Sequence, residues 1–220
     1  MYPRQWNNDF VGLPVIDPTK QKRPTVTKEQ VEQILSAINP RFYILVAILA
    51  GIGLRIGEAL GLQTDDFTDE CRVLHVRRSL WGSTLQVPKT SNAYRVVDIP
   101  EPLAAKLREY VAGKSGLLFS TRDGKPLLQR NVLRSLYAAG SPCGFHSLRR
   151  FRTQILRRNR APEDLIKLWL GHAKTSVTDL YAEGLREDLQ FRRHWCGQIG
   201  LGFGLSEVTK VVRNDEVKVA

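Results

Sequence analysis

The segment His146-Ser147-Leu148-Arg149 places a histidine and an arginine three residues apart, and the rest of the chain is interpreted outward from it. Residues at this spacing lie on one face of an α-helix. A second segment, Leu170–His172, adds another histidine, and Tyr181 follows nine residues later. The upstream segment Gly53–Glu58 adds another arginine. These segments supply two arginines, two histidines and a tyrosine. This set of groups suits the attack of a phenol on a phosphodiester.

Tyr181 is the candidate nucleophile. A tyrosine hydroxyl has a reference pKa of about 10, so it attacks slowly at neutral pH unless a base takes its proton or positive charge stabilises the phenolate. His146 and His172 are both candidates for that base. The leaving 5′ oxygen needs a proton from a general acid, and we assign this role to Lys89, at the tip of a predicted hairpin.

Arg55 and Arg149 are the candidate phosphate ligands. Negative charge spreads over the non-bridging oxygens as the attacking and leaving oxygens align on phosphorus, and fixed cationic donors lower that barrier. Arginine suits this task because its planar fork binds two phosphate oxygens and keeps its charge. The chemistry requires no cofactor and no metal.

Hydrophobic periodicity predicts a mainly α chain with a small three-stranded antiparallel sheet, an α+β class. Thr27–Gln30 has the spacing of a capping box and opens a helix. The most apolar run, Phe42–Ile52, is too short to span a bilayer and predicts a buried helix. The predicted strands are Val73–Val76, Thr84–Val87 and Arg95–Ile99, and further helices are predicted over 103–111, 130–138, 146–157 and 162–170.

These motifs resemble the catalytic domain of the tyrosine recombinases, the phage integrase family of site-specific DNA recombinases. The resemblance runs from about Thr25 to Trp195 and implies that family's fold. It implies Arg55 as the first arginine, Glu58 as the acidic residue bracing the site, Lys89 as the hairpin lysine, His146 and Arg149 as the His-x-x-Arg box, His172 as the Leu-Gly-His histidine, Thr178 in its customary place and Tyr181 as nucleophile. Arg150 and Glu183 stand where the family often has histidine.

Each of these residues alone has an ordinary structural explanation. His172 is compatible with a helix end, Tyr181 with a core aromatic, and Lys89 with a charged hairpin tip. Arg55 and Glu58 are compatible with a surface ion pair. The occurrence of all of them in family order favours one active site.

Three functions fit such a site. The first is a site-specific recombinase that cleaves through a 3′-phosphotyrosyl link and rejoins strands without ATP. The second is a type IB topoisomerase, which shares the chemistry but rejoins the same strand. The third is a DNA-binding regulator without catalytic activity. The Leu-Gly-His box and the length of chain after Tyr181 favour the first over the second, and the intact set of site residues argues against the third.

The composition predicts a polyanionic partner. Lys and Arg number 33 against 22 Asp and Glu, for a formal net charge of +11 and a pI near 9.9. The family resemblance makes that partner double-stranded DNA, bound by a homotetramer, with host DNA-bending proteins as accessory partners. Three widely spaced cysteines and no signal-like start predict a reducing, cytoplasmic location on the nucleoid, with no membrane contact.

The chain divides into three predicted parts. Residues 1–24 are interpreted as a linker, without the family's N-terminal DNA-clamping domain, as in an excised catalytic fragment or a minimal member. Residues 25–195 form the catalytic domain. Residues 196–220 form a tail that the resemblance predicts to dock on a neighbouring protomer. Of the other arginines, Arg152 is expected to touch backbone phosphate, and those at 157, 158 and 160 are expected to be solvated.

Overall fold

The computed structural model describes residues 24–86, 94–172, 184 and 187–205. The helices of this part are α1 (Lys28–Ala37), α2 (Pro40–Ile52), α3 (Ile56–Leu60), α4 (Glu101–Val111), α5 (Gln129–Ala138), α6 (Phe145–Arg158), α7 (Glu163–Leu170) and α8 (Leu189–Ile199). Its strands are β1 (Phe67–Thr68), β2 (Val73–Val76), β3 (Ser79–Trp81), β4 (Thr84–Gln86) and β5 (Arg95–Asp98). The predicted class, mainly α with a small three-stranded antiparallel sheet, is confirmed, and the structure adds a separate two-stranded hairpin.

Helix α2 forms the centre of the hydrophobic core. Every residue from Phe42 to Ile52 is buried, because α1, α3, α4 and α6 surround this helix. The predicted buried helix is thereby confirmed. A helix that is apolar on all sides must be covered on all sides. This requirement packs α3, which Arg55 immediately precedes, and α6, which carries Arg149, against the same helix.

The ends of α1 and α2 are fixed by local hydrogen bonds. Thr27 Oγ1 accepts from the Gln30 amide at 3.3 Å, and Gln30 Oε1 accepts from the Thr27 amide at 2.9 Å, which confirms the predicted capping box. Asn39 caps α2, with Pro40 at its first position. Gly53 ends α2 with a φ of +73°, a conformation that glycine adopts readily. The chain therefore turns sharply just before Arg55.

The sheet prediction was right in class and wrong in membership. The three-stranded sheet has the order β1-β2-β5, with Val73 opposite Asp98 and Val76 opposite Arg95. Strand β4 belongs instead to a separate hairpin with β3. Residues Ser79–Trp81 pair with the segment that follows them because a two-residue turn at Gly82 and Ser83 lets them reach it. The prediction contained neither β1, which belongs to the three-stranded sheet, nor β3, which belongs to the hairpin.

Strand β5 joins the sheet to the helices around the site. One side of the strand pairs with β2, and α7 and α8 both pack against it. Helix α6 contacts α2 and α7. The C-terminal end of α7 is consequently held between the strand and the α2–α6 pair.

The described C-terminal residues pack on the domain. Helix α8 continues through buried Cys196 to Ile199, and Leu201 and Phe203 are also buried in the core. Residues 196–205, expected to begin the tail, are therefore part of the packed domain. The remainder of the expected tail, 206–220, lies outside the described residues.

Candidate active site

Arg55 is held at the start of α3 by the carboxylate of Glu58. Glu58 Oε2 accepts a hydrogen bond from the Arg55 amide at 2.8 Å, and Oε1 accepts one from Arg55 Nη1 at 3.0 Å. The Glu58 side chain is 7% exposed, whereas that of Arg55 is 49% exposed. The guanidinium is thus braced on its buried side and remains accessible from solvent.

The same carboxylate binds a second arginine, Arg95 of β5, which sequence reasoning missed. Arg95 Nη1 donates to Glu58 Oε1 at 2.9 Å, and Arg95 Nη2 donates to Oε2 at 2.8 Å. Burial by itself would raise the pKa of Glu58, but the hydrogen bonds and charge of Arg95, followed by those of Arg55, hold it at about 2. Glu58 is therefore ionised at any pH at which the domain works.

Arg149 lies on α6 and is almost completely buried. Its Nη1 donates to the carbonyl of Gly53 at 2.7 Å, and its Nη2 donates to the carbonyl of Leu170. Burial, followed by the charge of Arg55, lowers the pKa of Arg149 to about 10. The group remains protonated at neutral pH, and two backbone carbonyls fix the plane of its fork.

Three successive carbonyls at the end of α7 each bind a different arginine. Trp169 O accepts from Arg95 Nε at 3.1 Å, Leu170 O accepts from Arg149, and Gly171 O accepts from Arg55 Nη2 at 3.3 Å. The last carbonyls of a helix have no partner within it and carry a partial negative charge. The end of α7 therefore collects guanidinium groups from α3, β5 and α6.

Gly171 makes this convergence possible. The Gly171 amide donates to Leu168 O at 3.2 Å and the His172 amide donates to Lys167 O at 3.0 Å, a Schellman ending with φ of +64° at the glycine. A Cβ atom at this position would lie 2.8 Å from Arg95 Nη1. The glycine of Leu170–His172 is required both by the turn and by the arginine packed beneath it.

The two candidate histidines are exposed beside the arginines. His146 follows the first residue of α6, one helical turn before Arg149, and lines a cleft of about 520 Å³. The cleft is also lined by Arg55, Arg149 and Arg150, with Leu54, Ile56, Leu133, Tyr137 and Phe145 forming apolar walls. Partial burial, followed by the charges of Arg149 and Arg55, lowers the pKa of His172, which favours the neutral imidazole, the form that can accept a proton.

The structure brings together Arg55, Glu58, His146, Arg149 and His172 from the predicted set. Lys89, Thr178, Tyr181 and Glu183 lie outside the described residues.

A buried polar network beside the site was also missed. Asp98 Oδ2 accepts from Trp169 Nε1 at 2.8 Å and from Arg192 Nε at 2.9 Å. The sequence does indicate that Arg95, in the same strand, is buried. Arg95 and Val97 are two residues apart, so their side chains lie on the same, buried face of the strand. A charged residue on such a face needs a buried partner.

Arg152 is corrected from a phosphate contact to a structural residue. It is buried, and its Nη1 donates to the carbonyl of Gly200 at 2.7 Å, so it cannot reach a DNA backbone. Burial lowers its pKa to about 10. The arginines at 157, 158 and 160 are exposed, as expected.

Two further searches concern the described ranges only. Within them, no group of three or more His, Cys, Asp or Glu side chains is placed to hold a metal ion. None of the helices there is long and apolar enough to cross a bilayer.

Residues 24–187 match the phage integrase family. The chain is 30% identical to a XerC-like tyrosine recombinase of Caldanaerobacter subterraneus subsp. tengcongensis, an alignment covering 70% of this chain and 48% of that protein. It is 34% identical to the tyrosine recombinase XerA of Thermococcus kodakarensis, covering 75% of this chain and 60% of that protein. The fold and the motif set define a tyrosine recombinase catalytic domain, and the chain belongs to the phage integrase family.

Solved structures agree on the fold. An integrase of the transposon Tn1549, in complex with a circular intermediate DNA, superposes with a TM-score of 0.61 at 21% identity, over 78% of this chain and 68% of that one. A XerA recombinase superposes with a TM-score of 0.56 at 21% identity, over 79% of this chain and 66% of that one. The chain spans about half the length of the curated relatives it matches.

Proposed function

We propose that this chain is the catalytic part of a site-specific DNA recombinase that breaks and rejoins strands through a 3′-phosphotyrosyl intermediate. The observation that carries the proposal is the meeting of Arg55 and Arg149, distant in sequence, at adjacent carbonyls of the turn that leads into His172. The guanidinium groups of Arg55 and Arg149 line one cleft with the imidazole of His146, and this arrangement matches the charge that develops on a phosphodiester during substitution.

In the proposed first step, the oxygen of Tyr181 forms a bond to phosphorus while the bond from phosphorus to the 5′ oxygen breaks. The phenolic proton passes to His172 or His146, and the leaving 5′ oxygen takes a proton from Lys89. In the second step a 5′ hydroxyl of the partner strand gives its proton to the neutral Lys89 and attacks the phosphotyrosyl phosphorus, and the tyrosine oxygen leaves and takes its proton back from the histidine. One phosphodiester is broken and one is made, so no ATP is consumed.

Glu58 takes a supporting role in this proposal. It accepts from Arg55 through both the backbone amide and the guanidinium, and it stays ionised. An ionised brace keeps the guanidinium in one rotamer, which reduces the entropy lost when a phosphate binds.

Double-stranded DNA is the proposed partner, in keeping with a net charge of +11 and with the DNA complex of the Tn1549 integrase. We further propose a homotetramer on DNA, residues beyond 205 as the protomer-docking tail, accessory DNA-bending proteins of the host, and a cytoplasmic site of action at the nucleoid. The names of the relatives favour recombination over relaxation of supercoils.

The test uses duplex DNA from the sequences flanking the gene, with a nick placed so that the cleaved fragment diffuses away. Wild-type protein should accumulate a covalent protein–DNA adduct that withstands denaturation. Tyr181→Phe should form none while binding the duplex with unchanged affinity, because only the attacking oxygen is removed. Tyr110→Phe is the matched control, since Tyr110 of α4 packs against Phe119, and this variant should form the adduct normally.

The outcomes separate the candidate functions. An adduct in Tyr181→Phe would contradict the assignment of the nucleophile, and binding without an adduct in wild type would favour a regulator. Relaxation of a supercoiled plasmid of arbitrary sequence, with no exchange between two copies of the flanking site, would favour a topoisomerase.

A further inference from the structure

Arg95 is buried between two parts of the candidate site. Its side chain is 2% exposed, and its three guanidinium nitrogens all donate: Nη1 and Nη2 to the two oxygens of Glu58, and Nε to the carbonyl of Trp169. One rigid, planar group therefore connects the carboxylate that holds Arg55 with the helix end that precedes His172.

The charge balance gives Arg95 a function beyond packing. Glu58 carries one negative charge, and both of its oxygens already bind Arg55. If Glu58 had only Arg55 as a partner, the pair would be neutral and its attraction for a phosphate would be weak. Arg95 also binds both oxygens of Glu58, so the single negative charge is shared between two arginines. The positive charge on the exposed side of Arg55 is therefore available to attract a phosphate.

The contact with α7 fixes a second group. Arg95 lies directly beneath Gly171, at a distance that leaves no room for a Cβ atom. The carbonyl of that glycine accepts from Arg55, and the next residue is His172. A displacement of Arg95 would therefore move the support of both groups together.

We propose that Arg95 is a positioning residue that holds the guanidinium of Arg55 and the imidazole of His172 at the relative positions needed to contact one phosphate. The inference deepens the proposed strand-cleavage function and rests on it. Arg95 itself reaches no substrate, because it is enclosed by Glu58, Trp169 and Gly171.

The deciding variant is Arg95→Lys. It keeps one positive charge beside Glu58, so the carboxylate stays compensated, but an ammonium cannot bind both carboxylate oxygens and the Trp169 carbonyl in the same geometry. The matched control is Arg78→Lys, which makes the same change at another buried carboxylate, Asp66, 2.7 Å from Arg78 Nη1.

Two measurements are made on the full chain. The first is single-turnover cleavage at saturating DNA, which should slow between about tenfold and a hundredfold in Arg95→Lys, the scale of a misplaced catalytic group. Duplex affinity should stay unchanged, since Arg95 does not contact DNA. Arg78→Lys should cleave at the wild-type rate.

The second measurement is the NMR titration of His172 without DNA. Partial burial and the charges of Arg149, Arg55 and Arg157 lower its pKa, and Glu163 opposes them. Release of the turn should raise that pKa towards its ordinary value in Arg95→Lys and leave it unchanged in Arg78→Lys. A residue that only stabilised the fold would lower the unfolding temperature without this specific change.

Wild-type cleavage rate and an unchanged His172 titration in Arg95→Lys would overturn the inference, as would a loss of DNA affinity with an unchanged cleavage rate. Should wild-type protein cleave none of the substrates, the proposed function fails, and the titration still decides whether Arg95 positions the turn. Arg95→Met, titrated in the same way, should shift the pKa of His172 at least as far, and no shift there would also count against the inference.

Discussion

Replacing Glu58 with glutamine tests the electrostatic core of the site. The substitution Glu58→Gln keeps the size of the side chain and removes its charge, leaving buried Arg95 without a carboxylate partner. The pKa of Glu58 is about 2 in the folded chain against an ordinary 4.5. That difference corresponds to about 3 kcal/mol of stability at neutral pH. Loss of one partner of a buried ion pair typically costs about 3–5 kcal/mol, which agrees in scale.

The sign of the pH dependence follows from the lowered pKa. Because the carboxyl releases its proton more readily when folded, its contribution is complete above pH 4.5 and is lost as the pH falls from 4.5 towards 2. Urea unfolding of wild type and Glu58→Gln is followed by circular dichroism at pH 7, 5 and 3. The free energies of unfolding of the two proteins should differ by about 3 kcal/mol at pH 7, and this difference should be much smaller at pH 3.

The matched control is Glu101→Gln. Glu101 also accepts from two arginines, Arg72 at 2.7 Å and Arg108 at 2.6 Å, but its side chain is 52% exposed. Loss of the Glu101 charge should lower the free energy of unfolding by less than about 1 kcal/mol, because solvent screens exposed ion pairs. Equal destabilisation by the two glutamine variants, or a gap for Glu58→Gln that stays constant between pH 7 and 3, would refute the reasoning.

Two further predictions concern the chemical step. Arg55→Ala and Arg149→Ala should each slow single-turnover strand cleavage by about a hundredfold or more, with only partial recovery in the lysine variants. Exposed Arg158→Ala serves as the control, and near-normal rates in both alanine variants would exclude the pair. Lys89→Ala should recover cleavage on DNA whose bridging 5′ oxygen is replaced by sulfur, because a thiolate leaves without a proton. Rescue of His146→Ala in place of the lysine variant would transfer the role of general acid.

Most of the helices were predictable because their signals are local, whereas α8 (Leu189–Ile199) was not predicted. The Thr27 capping box, the apolar run of α2 and the periodicity of α4 to α7 all fall within single segments. Pairing between strands is not local in this sense. The alternation of Thr84–Gln86 correctly indicates a strand, but it does not indicate the partner of that strand. Two residues separate it from β3 and eight residues separate it from β5. The partner was therefore chosen wrongly.

The site residues divide in the same way. Arg55, His146, Arg149 and His172 carry motif spacing, whereas the role of Arg95 depends on partners far away in sequence, Glu58 and Trp169. Alternation in β5 shows that Arg95 faces the core, and that observation predicts a buried partner without naming it. The identity of the partner follows only from the packing of α3 and α7 around the strand.

The balance of charge explains why the arginines converge on a helix end. Arg55, Arg95 and Arg149 bring three positive charges together, and Glu58 returns one negative charge in the contacts described. Three carboxylates would have satisfied the same guanidinium groups, but they would also have cancelled the attraction for a phosphate. The carbonyls at the end of α7 supply hydrogen bonds and a partial negative charge without a formal one. They stabilise the buried guanidinium groups and leave the cluster net positive, as the proposed binding of a phosphodiester between Arg55 and Arg149 requires.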